Sequence, residues 1–186
     1  MAKCILVIDL PKSCSKCHNK DIANKLFKQK SGFLHGGAGI GKTTLICSLA
    51  KKFIEKGKNV HFELARNVTA SFQDFKKIED RDAKDSFVYK LSDLQNVDIL
   101  FIDDFYREKL TDWSLLNVWS PILQTRIDNK KQTYVTSNYS VSELGVKIEK
   151  ISDFTSADAI IGRLSEIGIV ELKGENYRSN TNVVSK

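Results

Sequence analysis

"GGAGIGKTTLICSLAKKFIEKG", residues 36–57, decides the fold. Its first eight residues satisfy G-x-x-x-x-G-K-[ST] through Gly36, Gly41, Lys42 and Thr43. Glycines let the backbone wrap so closely that its N–H groups aim at phosphate oxygens, and the next helix presents its positive end to the same charge. Gly36, Gly37, Ala38, Gly39, Ile40, Gly41 and Thr44 form the expected cradle, Lys42 reaches the β- and γ-phosphates, and the Thr43 hydroxyl ligates Mg²⁺. Apolar residues at 45, 46, 49, 50, 53 and 54 have helical spacing, and Gly57 stands where a helix would stop. "GFLH", 32–35, is a short strand leading into the loop. A glycine-rich turn without function is the competing interpretation, and the strand–loop–helix context argues against it.

Outward from the loop, strand and helix patterns alternate. "CILVID" (4–9), "NVHFEL" (59–64), "QTYVTSN" (132–138) and "GIVELKG" (168–174) are strand-like. Residues 67–90 look helical, with Phe72, Phe75 and Ile78 at spacings of three. A helix over 113–130 contains Pro121, which kinks or divides it, and another follows at 156–168. The fold class is therefore α/β, a P-loop NTPase with a parallel sheet flanked by helices.

"VDILFIDDF", 97–105, is an almost unbroken apolar run ending in two carboxylates, as expected of a strand buried on both faces. A carboxylate at such a tip beside a phosphate loop can hold Mg²⁺, which assigns Asp103 to the metal and Asp104 to the attacking water. Asn138, at the end of "TYVTSN", is the candidate for contacting the γ-phosphate or the water, with Thr136 and Ser137 as alternatives. Arg163 in "IIGRLSE" and Arg178 in "GENYRSN" are candidates for stabilising charge on a transferring phosphoryl group. A single helical arginine is more often solvated, so the order of the motifs carries their case.

The chain has 186 residues, enough for one domain with a sizeable core. Hydrophobic residues make up 41% and charged ones 28%, as in a globular protein. An excess of 29 Lys+Arg over 23 Asp+Glu gives +6, which suits nucleic acid without requiring it. No apolar run approaches the ~20 residues that span a bilayer. The opening "MAKCILVIDLPKS" is broken by Asp9 and resembles a buried strand more than a signal peptide. The four cysteines, Cys4, Cys14, Cys17 and Cys47, are too few and too unevenly spaced for a secreted disulfide scaffold, and a reducing cytoplasm fits best. Cys14, Cys17 and His18 make half of a zinc site, but there is no second C-x-x-C or H-x-x-H, so reduced incidental thiols outrank zinc.

The stretch from "VDILFIDDF" through "TYVTSNYSVSEL", followed by "IIGRL" and "GENYRSN", resembles the core of bacterial AAA+ helicase loaders of the DnaC/DnaI type and their IstB-type transposition-helper relatives. The resemblance covers about residues 31–178. It implies that Lys42, Thr43 and Asp103 hold ATP and Mg²⁺, that Asp104 activates water, and that Asn138 is the first sensor. It further implies that Arg163 is an arginine finger acting on a neighbouring subunit's ATP, with Arg178 as second sensor on the chain's own. A finger acting in trans implies a homo-oligomer or hetero-assembly. The implied partners are a replicative helicase or another replication protein, and single-stranded DNA.

The expected organisation is a short extension over 1–30 with its Cys-x-x-Cys-His segment, an AAA+ domain over 31–178, and a flexible tail over 179–186. Relatives carry a larger N-terminal region, so a phage or mobile-element version, or a mimic that blocks its host, fits the trimming. The segment 70–90 lies where related loaders carry a DNA-contacting insertion. Lys76, Lys77 and Lys84 could meet phosphates and Phe72 or Tyr89 could stack a base, but aromatics packed inward beside a solvated lysine face is the stronger reading, and five acids in the stretch weaken the DNA one. Competing functions are a small P-loop kinase, an inhibitory nucleotide-bound binding module, and a transposition helper.

Overall fold

Parallel strands can be joined only by crossovers, and this chain places helices between successive strands. The computed structural model describes residues 4–6, 20–76, 81–107, 110–174 and 176. Its strands are β1 (Cys4–Leu6), β2 (Gly32–His35), β3 (Val60–Leu64), β4 (Ile99–Phe105), β5 (Gln132–Ser137) and β6 (Ile169–Glu171). They form one sheet in the order β1-β3-β4-β5-β2-β6, with every pair parallel. The helices are α1 (Lys20–Gln29), α2 (Lys42–Glu55), α3 (Ala65–Lys76), α4 (Arg81–Asn96), α5 (Asp112–Ser114), α6 (Ser120–Asp128), α7 (Val141–Ile148) and α8 (Phe154–Glu166). The expected α/β class with a helix-flanked parallel sheet is what the chain adopts.

Alternation along each strand divides the core between the two faces of the sheet. On β4, Leu100 and Ile102 join one cluster with Val68, Phe72, Trp119 and Ile160. Ile99 and Phe101 join the other with Leu45, Leu49 and Phe53 of α2. Phe101 stacks on Tyr134 with ring centroids 4.8 Å apart. Helix α1 packs on the same layer: Leu26 is fully buried, Phe27 stacks on Phe53 at 4.8 Å, and Tyr134 Oη donates to Leu26 O at 3.3 Å. Gly57 stops α2 as expected, its N–H donating to Ile54 O at 2.8 Å.

Two segments differ from their sequence patterns. The region expected as one helical stretch over 67–90 is two helices, with α3 starting directly from β3 at Ala65 and α4 starting at Arg81. Phe72 faces inward there, fully buried and edge-on to Phe87 at 4.8 Å, so it cannot stack a base. Tyr89 and Val88 on α4 are exposed, as is Lys84, while Lys77 lies outside the described residues.

Pro121 does divide its helix. A π-helical turn, Leu115–Trp119, precedes α6, and Ser120 N donates back to Leu115 O. The wider turn absorbs the ladder position that proline, lacking an N–H, cannot supply. Helix α7 was absent from the strand–helix reading, yet its start is a capping box: Ser140 Oγ accepts from Glu143 N, and Glu143 accepts from Ser140 N at 2.7 Å.

The sheet order sets where ligands can bind. β2 lies between β5 and β6, and β4 lies beside β5. The loops leaving β2, β4 and β5 therefore meet at the carboxyl edge of the sheet, the usual crevice of an open α/β fold.

Candidate nucleotide site

The loop from Gly36 to Gly41 joins β2 to α2 in a conformation that needs glycine. A Cβ at Gly36 would strike Leu172 O, and Gly41, the residue before α2, has φ 91°. The first turn of α2 contains no acidic residue, so its N–H groups and dipole face the cleft without a competing negative charge. Lys42 is buried, and its ammonium donates to Gly36 O at 2.9 Å, Gly37 O at 2.8 Å and Asn138 Oδ1 at 2.7 Å. Phosphate oxygens in the loop would offer the same cation stronger acceptors than these neutral groups.

Across the cleft, β4 delivers Asp103 and Asp104. Adjacent strand residues normally face opposite sides of a sheet. Here the register slips by one residue, since Ile102 pairs with Val135 but Phe105 pairs with Ser137. Asp104 takes φ 58° within this irregularity, a left-handed conformation that costs on the order of 1 kcal/mol for a residue with a side chain. The bulge turns both carboxylates toward the loop. Thr136 secures it, donating to Asp103 Oδ1 while its Oγ1 accepts from Asp104 N at 3.0 Å.

Asp103 is almost fully buried and accepts from Thr43 Oγ1 at 2.9 Å. Burial pushes its carboxyl above the ordinary carboxylate value, while hydrogen bonds from Thr136 and Thr43 pull the other way. An oxygen-only pair of half-buried Thr43 and buried Asp103, beside a phosphate loop, matches what Mg²⁺ takes from proteins: few ligands, with waters and phosphate oxygens completing the shell. The same burial raises the Cys47 thiol to about 12, helped by the Asp103 charge, so Cys47 is an inert core residue of α2.

The cleft is lined by Ala38, Gly39, Gly41, Lys42, Thr43, Thr44, Asp104, Arg107 and Asn138. Gly36, Gly37 and Ile40 complete the loop. The structure thus brings together the loop residues, Asp103, Asp104 and Asn138. Of the alternatives to Asn138, Thr136 serves Asp103, and Ser137 is buried with its hydroxyl donating to Phe105 O at 2.8 Å.

Arg163 is elsewhere, on α8, where it donates to Gln124 Oε1 at 2.6 Å and Ser120 Oγ at 2.7 Å. Arg178, Cys14 and Cys17 lie outside the described residues. The Asn176 side chain rests against Gly39 of the phosphate loop. Among the described residues no group of three or more His, Cys, Asp and Glu is arranged to hold a metal, and no helix is long and apolar enough to cross a membrane.

Two further arginines bear on the site. Arg107 enters the cleft from the turn after β4 and pairs with Asp104 at 2.7 Å. A basic residue just past the acidic strand tip was its only signal. Arg126 is fully buried at the end of α6, donating to the carbonyls of Leu94, Gln95, Val97 and Gln132 and to Thr133 Oγ1. It ties the end of α4 to the start of β5, and so helps to position the strand that carries Thr136 and leads to Asn138.

Comparison with known proteins supplies a family. The model of the IstB-like ATP binding protein family matches residues 22–185. The replicative helicase loader DnaI of Bacillus subtilis (strain 168) is 29% identical over 125 residues, 65% of this chain and 37% of that protein. The chain therefore spans little more than a third of that relative's length. Among solved structures, DnaI superposes with a TM-score of 0.69 at 23% identity, covering 91% of this chain and 87% of the other. The DnaC helicase loader gives 0.64 at 23% identity, covering 88% and 93%. AMPPCP-bound DnaA from Aquifex aeolicus gives 0.67 at 19% identity, covering 85% and 47%. At such identities the superpositions establish a shared fold.

Proposed function

The chain belongs to the family of IstB-like ATP binding proteins, and on that premise we propose that it is a Mg²⁺-dependent ATPase whose nucleotide state controls assembly on a replicative helicase and single-stranded DNA. The observation that carries the reading is the pair of links across the cleft. Lys42 meets Asn138 at 2.7 Å and Thr43 meets Asp103 at 2.9 Å, so loop, acid strand and sensor strand are already in register.

In this reading the loop N–H groups and Lys42 bind the phosphates. Thr43 and Asp103 would hold Mg²⁺, which when bound supplies charge neutralisation at the β- and γ-oxygens. Asn138 orients the water or the γ-phosphate, and Asp104 takes the water's proton. Arg178 serves the chain's own nucleotide, and Arg163 that of a neighbour. Asp104 is one methylene shorter than glutamate, which favours slow hydrolysis until assembly improves the geometry.

The helicase partner is supported by the likeness to the DnaI loader and by the order of acids, sensor and arginines, which a small-molecule kinase does not need. The test is ATP turnover with product analysis. Free phosphate released with no phosphorylated acceptor, faster with single-stranded DNA or helicase, supports the ATPase. A phosphorylated small molecule at the expense of free phosphate makes the protein a kinase.

A further inference from the structure

Arg107 lines the cleft with Lys42, Thr43, Asp104 and Asn138, and the ATPase scheme above leaves it without a task. Its Nη1 donates to Asp104 Oδ2 at 2.7 Å, and its backbone N–H closes a turn on Asp104 O at 3.1 Å. The turn is firmly held. Phe105 is buried edge-on to Trp119 at 5.1 Å, and its carbonyl accepts from Ser137 Oγ. Tyr106, with φ 65°, donates through its hydroxyl to Lys147 O at 3.1 Å and meets Tyr139 edge-on at 6.0 Å. Anchoring of this kind sustains left-handed backbone at both Asp104 and Tyr106, and it aims Arg107 back over the phosphate loop. The side chain itself is 57% exposed, so its long stem can redirect the guanidinium within the cleft.

We propose that Arg107 reads the γ-phosphate of the chain's own nucleotide: a triphosphate in the loop draws the guanidinium from Asp104 and frees that carboxylate of its ion pair. This rests on the ATPase reading above. A guanidinium is a planar fork that stays protonated and fits phosphate oxygens bidentately, so the more highly charged terminal phosphate outcompetes a single carboxylate. Exchange therefore couples arrival of the γ-phosphate to release of the base. In the step itself the water oxygen bonds to the γ-phosphorus as the bond from that phosphorus to the β–γ bridging oxygen breaks. The bridging oxygen leaves with ADP, keeping the electron pair. The water's proton passes to Asp104 and then to solvent.

Equilibrium titration of the full chain with fluorescent ATP and ADP in Mg²⁺ tests this, using wild type, Arg107→Gln, Arg107→Lys and Lys42→Ala. Circular dichroism melts check that each variant folds. Arg107→Gln is expected to weaken ATP about tenfold or more while leaving ADP within about twofold, with partial recovery in Arg107→Lys. Equal effects on both nucleotides, or none, overturn the assignment. So does slower hydrolysis with both affinities unchanged, which would make Arg107 only a support for Asp104. If the wild type does not bind ATP, or Lys42→Ala binds it normally, the nucleotide reading itself falls, and this proposal with it.

Discussion

Thr43 Oγ1 reaches both carboxylate oxygens of Asp103, at 2.9 and 3.2 Å, and so joins the first turn of α2 to the end of β4. The pair sets oxygens from two side chains at one point of the cleft. Asp103→Asn keeps the shape and removes the charge. Calorimetric titration should show Mg²⁺-dependent ATP affinity falling about tenfold or more, with little change in Mg²⁺-free binding. The melting temperature should hold or rise, because a buried charge is gone. Unchanged Mg²⁺ dependence would remove Asp103 from the metal site.

The same carboxyl predicts a pH dependence. Its value in the folded chain is raised above 3.8, chiefly by burial. A raised carboxylate contributes stability that is complete below its unfolded value and is lost as pH climbs through the folded one. Mg²⁺ favours the ionised form, so the rise in melting temperature on adding Mg²⁺-ATP should grow as pH climbs above the ordinary carboxylate range. Asp103→Asn should flatten that trend. A ligand-induced rise that grows toward acid would contradict it.

Arg126 is expected to matter for stability more than for chemistry. Burial lowers its guanidinium to about 9, yet its donors satisfy four backbone carbonyls and Thr133 Oγ1. Arg126→Met fills most of the space and leaves those acceptors unpaired, at a cost of roughly 3 kcal/mol or more. Urea unfolding measures this directly, while ATP affinity well below the transition should stay near wild type.

Arg163 is held by Gln124 and Ser120 within its own chain, away from its own cleft. If it serves a neighbour's nucleotide, Arg163→Ala and Lys42→Ala should each be inactive alone, and a mixture should regain part of the hydrolysis through mixed interfaces. Mixtures no more active than either variant would argue against a role in trans.

Lys42, Thr43, Asp103 and Asn138 were legible because each stands at a strand tip or loop position that phosphate chemistry demands, and the strands around them carry apolar runs. The bulge that turns Asp103 and Asp104 the same way was not legible, since register slips arise from pairing with β5 and leave no periodicity in β4. Arg107 was missed for a similar reason: a basic turn residue has meaning only once the turn's path is known. The burial of Phe72 depends on α4 folding back against α3, which places Phe87 on its ring. Helix α7, by contrast, was written plainly in "SVSE", 140–143, a capping box whose reciprocal bonds the structure contains.

Sedimentation velocity of the chain mixed with the replicative helicase of its source organism, with Mg²⁺-ATP, Mg²⁺-ADP or no nucleotide, tests nucleotide-controlled assembly most directly. A faster-sedimenting joint complex is expected, strongest with ATP and lost in Lys42→Ala. A complex of equal strength in all three conditions and in Lys42→Ala, or none in any, would contradict it.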